Sequence, residues 1–317
     1  MVDQKLLGAR VLVLGGTGFL GSHLVRNLCN AGVRPYLLLR STSRMGRIED
    51  LAQSCQIHIG DLTDLKTLHA IIHQVRPDII FHAVGYSSHK GQNQRAELFH
   101  SNLLATHNLL MATERIPDCR IIYSGTSLEQ GMQNKPLQER GVPDPVSFYA
   151  ATKTAASILV RQAARHDNRP ITILNPFSIY GMGEPANRLI PTAIRAGMEG
   201  HTLFLTQPGF VRDYVFVEDV AEAYLMAAVN DRVVGETIHI AGGKAVANER
   251  VVALIEKLLG HAITKRVGAY PPRVTDTSFW CANISKARKL LGWEPRHSLQ
   301  QGLKMTVEWY QQHGFRF

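Results

Sequence analysis

The chain has 317 residues, of which 45% are hydrophobic and 19% charged, and a formal net charge of +9. This is a globular composition, sufficient for one large domain or two modest ones, and no apolar run nears the roughly 20 residues that cross a bilayer, so no membrane association is expected. The 35 Lys and Arg residues are dispersed and not striped with aromatic residues, which argues against nucleic acid as a partner. Cys29, Cys55, Cys119 and Cys281 form no CxxC pair, so neither a zinc site nor a disulfide scaffold is expected. The opening residues carry no basic leader with a long apolar segment, and a cytoplasmic location is predicted.

The first predicted element is the strand "RVLVL" from Arg10, which runs into "GGTGFLG" and a helix from Gly18. Gly15, Gly18 and Gly21 give a GxxGxxG spacing between strand and helix. Glycine there permits a tight turn and a close approach of pyrophosphate to the backbone, and the helix N-terminus offers free N–H groups to the anion. A nicotinamide dinucleotide is the expected ligand, with Thr17, Phe19 and Leu20 beside it. The second strand, "PYLLL" from Pro35, leads into "RSTSR". A carboxylate at its end would bind the ribose 2′-hydroxyl of NAD, but Arg40, Ser41 and Arg44 stand there instead. Two arginines and a hydroxyl suit a 2′-phosphate, so NADP is favoured over NAD.

The third strand, "QIHIG" from Gln56, ends at Asp61 and Leu62. Asp61 is placed either to accept from the adenine amino group or to cap the helix from Leu65. A fourth strand, "DIIFH" from Asp78, brings His82 and Ala83 to the cofactor wall, and a helix from Ala96 follows. His82, His89, His100 and His107 lack a tight ligand spacing and are read as core, wall or surface residues; no metal site is expected. The fifth strand, "RIIYS" from Arg120, precedes "GTSLEQG", and a helix from Ser147 carries Tyr149 and Lys153 four residues apart, hence on one face. A nearby ammonium would favour the phenolate and make Tyr149 a usable acid or base. The sixth strand is "PITIL" from Pro170. Alternation of this kind predicts an α/β fold with a doubly wound, Rossmann-type parallel sheet that binds ligands at the carboxyl ends of its strands.

After Asn175 the rhythm changes. "NPFSIYGMGEPANRLIP" reads as loop, and "VRDYVFVEDVAEAYLMAA" as a short strand and a helix capped by Glu218 and Asp219. "ETIHIAGG" is another strand, and helical patterns start at Asn248, at Ser285 and in "SLQQGLKMTVEWYQQH". The expected organisation is a dinucleotide-binding domain of residues 1–174 with 212–242, and a smaller C-terminal substrate-binding lobe of 175–211 with 243–317.

The glycine loop, "FHAVG", "SNLLATHNLL", "IIYSGTSLEQG", Tyr149 with Lys153, "VRDYVFVEDVAEA" and "NISKARKLLGWEP" together resemble the extended branch of the short-chain dehydrogenase/reductase superfamily, which contains nucleotide-sugar epimerases, dehydratases and reductases. The resemblance covers nearly the whole chain. It implies that Thr126, with Ser124 and Ser127 as near alternatives, and Tyr149 hydrogen-bond the substrate oxygen, and that Tyr149 exchanges its proton. It also implies that Lys153 holds the nicotinamide ribose while hydride passes between nicotinamide and the adjacent carbon. On the substrate side it implies Arg212 and Arg273 for phosphate, Asp276 for the nucleoside ribose, and Arg188 near the base. Asn175, Pro176, Phe177 and Ser178 replace the usual Arg-Pro-Phe-Asn of a loop that helps hold the sugar nucleotide, and Tyr86 and Ser87 are candidates for sugar contact.

The resemblance also shows departures. Ser127 and Leu128 stand where dehydratases of this group carry Asp and Glu, and Glu129-Gln130 replaces Val-Tyr. The leading expectation is therefore an NADPH-dependent reductase of a nucleoside-diphosphate-linked 4-keto-6-deoxy sugar. An epimerase that retains its cofactor is the alternative, and a non-catalytic NADP-binding sensor or scaffold is an alternative of another class, one that would not need Tyr149 and Lys153. The helices around Ala96–Glu114 and Ser147–Arg165 form the dimer interface in many relatives, so a homodimer is expected.

Overall fold

The structure, a computed structural model, describes residues 4–86 and 95–316. Ser87 and His89, named above, lie outside the described residues. Seven parallel strands form the central sheet: β1 (Val11–Leu14), β2 (Tyr36–Leu39), β3 (Gln56–Ile59), β4 (Ile79–His82), β5 (Arg120–Ser124), β6 (Ile171–Pro176) and β10 (Thr237–Ile240), in the order β10-β6-β5-β4-β1-β2-β3. Chain order reverses between β1 and β4, and at such a switch point the loops that follow the strands diverge and leave a crevice.

The sheet forms because its strands are apolar on both faces. Val11 and Val13 point into one core with Leu24, Val25 and Leu28 of the helix Phe19–Asn30 and with Val220 and Tyr224 of the helix Val217–Val229. Leu12 and Leu14 point into the other, with Leu68, Ile71 and Ile72 of the helix Leu65–Val75 and Ala156 and Val160 of the helix Phe148–His166. A strand buried on both faces reads as a continuous apolar run, which is why β1 and β4 were legible. Truncating a side chain as enclosed as Leu24 to Ala costs about 2–5 kcal/mol. At the edge, β3 alternates partly buried and exposed positions, and Ile57 and Ile59 face solvent.

Two predicted local features are corrected. Within the stretch expected to be loop, Ser178–Tyr180 forms β7, which pairs with β9 (Val211–Phe216), and Ala245–Ala247 (β11) completes a three-stranded sheet. Thus β9 joins the small sheet, and only the helix Val217–Val229 and β10 return to the large one. That helix has no side-chain N-cap. Glu218 instead meets His23 Nδ1 at 2.6 Å, and Asp219 meets His297 Nδ1 at 2.7 Å, because both carboxylates are drawn to ring nitrogens on other elements. In the first turn they still complement the helix dipole.

A third core forms beside the three-stranded sheet. It joins Tyr180 and Phe216 to Ile190 and Ile194 of the helix Leu189–Glu199, Val251 and Ile255 of the helix Asn248–Leu259, and Leu303 and Val307 of the helix Leu299–His313. Ser298 starts the last helix with a reciprocal capping box to Gln301. Two short remaining strands, β8 (Leu203–Phe204) and β12 (Lys265–Arg266), pair beside it.

Candidate active site

The glycine loop lies at the switch point. Gly15 has φ +82°, and a Cβ there would come within 2.7 Å of the Ala83 carbonyl oxygen, so the β1 and β4 loops approach closely only because this residue has no side chain. A Cβ on Gly21 would strike the backbone of Gly15, which lets helix and loop pack without a gap. Gly18 is the N-cap of the helix Phe19–Asn30, with no side chain of its own to satisfy the free N–H groups of the first turn. Thr17, Phe19 and Leu20 are partly exposed around it. The cradle fits a pyrophosphate.

Arg40, Ser41 and Arg44 follow β2 and are exposed, and neither guanidinium has an ion-pair partner among the described residues. Asp61 resolves differently from its capping alternative. Asp64 caps the helix Leu65–Val75, while Asp61 Oδ1 accepts from the N–H of Thr63 at 2.8 Å and its hydroxyl at 2.7 Å. Asp61 and Leu62 remain partly exposed at the end of β3. His82 is fully buried, with its ring 4.9 Å from that of Tyr123, so it forms a layer behind the site; Ala83 is partly exposed. Burial and the nearby Lys153 hold the His82 imidazole neutral, its pKa pushed down to about 3.

Thr126 lies just beyond β5, where it caps a short turn by accepting from Leu128 N–H at 3.2 Å. Ser147 caps the helix Phe148–His166 by accepting from Ala150 N–H, which fixes Tyr149 and Lys153 in its first two turns. Tyr149 is partly exposed and hydrogen-bonded to Thr126. Burial raises its pKa, while the Thr126 bond and the Arg188 charge act in the opposite direction. The net shift of Tyr149 is thus upward, where a nearby ammonium was expected to lower it. The Lys153 Nζ, in a dry interior, donates to the Ser124 carbonyl at 2.6 Å and to the Tyr123 hydroxyl at 3.3 Å. Desolvation pushes its pKa down to about 7.

Of the arginines expected on the substrate side, Arg212 and Arg188 are ion-paired, while Arg273 is exposed and makes no ion pair among the described residues. Arg212 donates to Asp276 at 2.8 Å, and the N–H of Arg273 also donates to Asp276, at 2.9 Å. Arg188 stands 3.4 Å from Glu184, a buried carboxyl pushed up to about 7 by desolvation. Ser178 lies opposite Tyr214 in the β7–β9 pair. A cleft of about 460 Å³ lies between Met132–Asn134 and Thr277–Phe279, adjoining Asp276 in the chain.

The departures from the family pattern have structural partners. Glu129 is buried and ion-paired with Arg161, and Leu128 packs in a cluster with Leu137, Phe177 and Trp280. Sequence reasoning missed Asn102. It is fully buried in a π-helical segment, Phe99–Leu104, and accepts from Tyr86 N–H at 2.9 Å while donating to Tyr86 O and Thr152 Oγ1 at 3.1 Å each. A π-turn often marks a functional site, and the available signal was an Asn amid the apolar face of "SNLLATHNLL". Among the described residues no group of three His, Cys, Asp or Glu side chains is placed to hold a metal, and no helix is long and apolar enough to cross a membrane.

A profile of the NAD dependent epimerase/dehydratase family matches residues 11–241. A dTDP-glucose 4,6-dehydratase of Neisseria meningitidis serogroup B is 28% identical over 95% of this chain and 93% of its own. A UDP-glucose 4-epimerase of Lactobacillus helveticus is 25% identical over 96% and 98%. The solved UDP-glucose 4-epimerase of Thermotoga maritima, with UDP-glucose, has a TM-score of 0.87 at 25% identity, covering 96% of this chain and 99% of that one. The structure of MoeE5 in complex with UDP-glucose and NAD has a TM-score of 0.84 at 27% identity, covering 96% and 99%. Enzymes with different products thus share this architecture nearly end to end, and with them the chain belongs to the NAD dependent epimerase/dehydratase family of the extended short-chain dehydrogenase/reductase superfamily.

Proposed function

We propose that the protein is an NADPH-dependent reductase of a nucleoside-diphosphate-linked 4-keto-6-deoxy sugar. The observation that carries this reading is the end of β2, where Arg40 and Arg44 are exposed and unpaired among the described residues and no carboxylate occurs between Leu39 and Ile48. A ribose 2′-hydroxyl calls for a carboxylate, and a 2′-phosphate for such cations. Bound along the glycine loop, the dinucleotide supplies the hydride. Thr126 and Tyr149 hydrogen-bond the carbonyl oxygen, and Tyr149, with its phenol kept protonated by burial, delivers the proton as that oxygen gains charge. Arg212 and Arg273 take phosphate oxygens, Asp276 takes a ribose hydroxyl, and Arg188 and Ser178 border the sugar nucleotide. Leu128, in its apolar cluster, can move no proton, which disfavours elimination of water by an acid pair.

An NAD-dependent nucleotide-sugar epimerase is the second reading, favoured by the UDP-glucose 4-epimerase relatives and by the NAD held by MoeE5. The deciding experiment identifies the nucleotide released by the denatured protein, then follows NADPH absorbance with a panel of nucleotide-linked 4-keto-6-deoxy sugars. Stoichiometric NADPH loss supports the reductase. Retained NAD, with interconversion of sugars and no net consumption, replaces it with the epimerase.

A homodimer accompanies this reading. Phe99, Phe148, Ile158 and Leu159 are exposed on the helical segment 95–112 and the helix Phe148–His166, an apolar surface suited to a second copy. Sedimentation at micromolar concentration is expected to give twice the 35.2 kDa chain mass; a monomer overturns it.

A further inference from the structure

Lys153 reaches the end of β5 through the interior, and an aromatic layer receives it. Besides the 3.3 Å contact with the Tyr123 hydroxyl, its Nζ lies 4.7 Å from the centroid of the Tyr123 ring. Tyr123 is fully buried, stacks on His82, and has its hydroxyl 3.3 Å from that of Thr106. The Thr106 hydroxyl donates to the Asn102 carbonyl at 2.7 Å.

The ends of this chain fix its direction. An ammonium only donates and a carbonyl only accepts. Because Thr106 commits its proton to Asn102, it meets Tyr123 as an acceptor. Tyr123 therefore donates to Thr106 and shows Lys153 a lone pair. Lys153, Tyr123, Thr106 and Asn102 are all buried, so water does not compete for these bonds. The other titratable groups facing this layer are His82 on β4, Tyr149 on the same helix as Lys153, Tyr224 of the helix Val217–Val229, whose hydroxyl donates to Ser124 Oγ at 2.8 Å, and Glu129 in the turn after β5.

We propose that Tyr123 is a positioning residue for Lys153, holding the ammonium by ring face and hydroxyl while Thr106 fixes the direction of the phenol. This rests on the reading that Lys153 serves the nicotinamide ribose. The ring quadrupole and the oriented phenol dipole both stabilise positive charge, partly offsetting the desolvation that disfavours it. The charged form of Lys153 is thereby favoured and aimed before any ligand arrives.

The test is an NMR titration of isotopically labelled lysine in the full-length, cofactor-free protein, with the Lys153 signal assigned by its absence in Lys153→Arg. In Tyr123→Phe, which keeps the ring and loses the acceptor, Lys153 is expected to titrate about half a unit to one unit lower. Thr106→Val is expected to shift it less, and Thr106→Ser to restore the wild-type value. An unchanged Lys153 titration in a folded Tyr123→Phe variant overturns the proposal. If Tyr123→Phe fails to fold, the Thr106 pair decides: a Val shift reversed by Ser supports the chain, and identical titrations overturn it. No cofactor or substrate is present, so failure of the reductase reading leaves this result untouched, and the reverse also holds.

Discussion

At the end of β2, Arg40 and Arg44 are exposed and unpaired among the described residues, whereas of the arginines proposed for the substrate Arg212 is held by Asp276 and Arg188 by Glu184, with Arg273 left exposed. The same residue type is thus presented in two electrostatic states. An unpaired surface guanidinium offers its full charge to an incoming phosphate, in an environment where salt screens it. A paired one must exchange a carboxylate for the phosphate, so its net gain is a difference between two similar bonds. The exchange yields selectivity in return. The Asp276 carboxylate is largely buried, and a ligand that takes Arg212 without giving Asp276 a hydroxyl leaves that carboxylate without its strongest partner. A nucleoside diphosphate supplies both groups, and inorganic pyrophosphate supplies only one.

The largest effect is expected where the two sides meet. Tyr149→Phe removes the proposed proton donor, and turnover is expected to fall roughly 10²- to 10⁴-fold with dinucleotide affinity unchanged. A variant that loses cofactor binding as well would show that Tyr149 belongs to the cofactor side alone. Next come the two arginine classes. Arg212→Ala is expected to raise KM roughly 10- to 100-fold with little change in cofactor affinity, since it removes a charge-assisted bond. Arg40→Ala is expected to weaken NADPH by about tenfold or less while leaving NADH unchanged, because that site is exposed. Raising the salt concentration sharpens the contrast: NADPH binding should weaken more steeply than substrate binding. Equal slopes would break the comparison.

How legible each side was in the sequence follows from the range of the interactions. The sheet strands announced themselves because each is a short apolar run whose burial on two faces is a local property, and Gly15 and Gly21 because backbone crowding leaves a glycine spacing behind. β7 was unreadable inside a stretch rich in Pro, Gly and Asn. It exists through pairing with β9, more than thirty residues later. Glu218 and Asp219 looked like caps because their partners, His23 and His297, are remote in sequence. Spacing placed Tyr149 and Lys153 on one face but could not reveal that Lys153 Nζ is held by Tyr123 and Ser124. Glu184 drew no notice at all, since a carboxylate after a glycine turn reads as solvated surface.

Glu184 provides the smallest and most discriminating test. Its side chain is 5% exposed, Oε2 has no hydrogen-bond partner, and burial raises its pKa from 4.5 to about 7. Between those values the folded protein holds a proton that the unfolded chain has released, so this group's contribution is fully present below pH 4.5 and is lost as pH rises through 7. The loss amounts to about 3 kcal/mol at most. Glu184→Gln cannot titrate, so its stability relative to wild type should rise between pH 4.5 and 8, and a flat difference in Tm across that range would refute the assignment. The same variant also releases Arg188 from its carboxylate, so that Arg188 joins the exposed Arg273 as an unpaired cation like those after β2. Phosphate-containing ligands should then bind it somewhat more tightly and with a steeper dependence on salt. If both stay at wild-type values, the pairing of Arg188 is not what distinguishes the two sides, and the distinction rests on Arg212 and Asp276 alone.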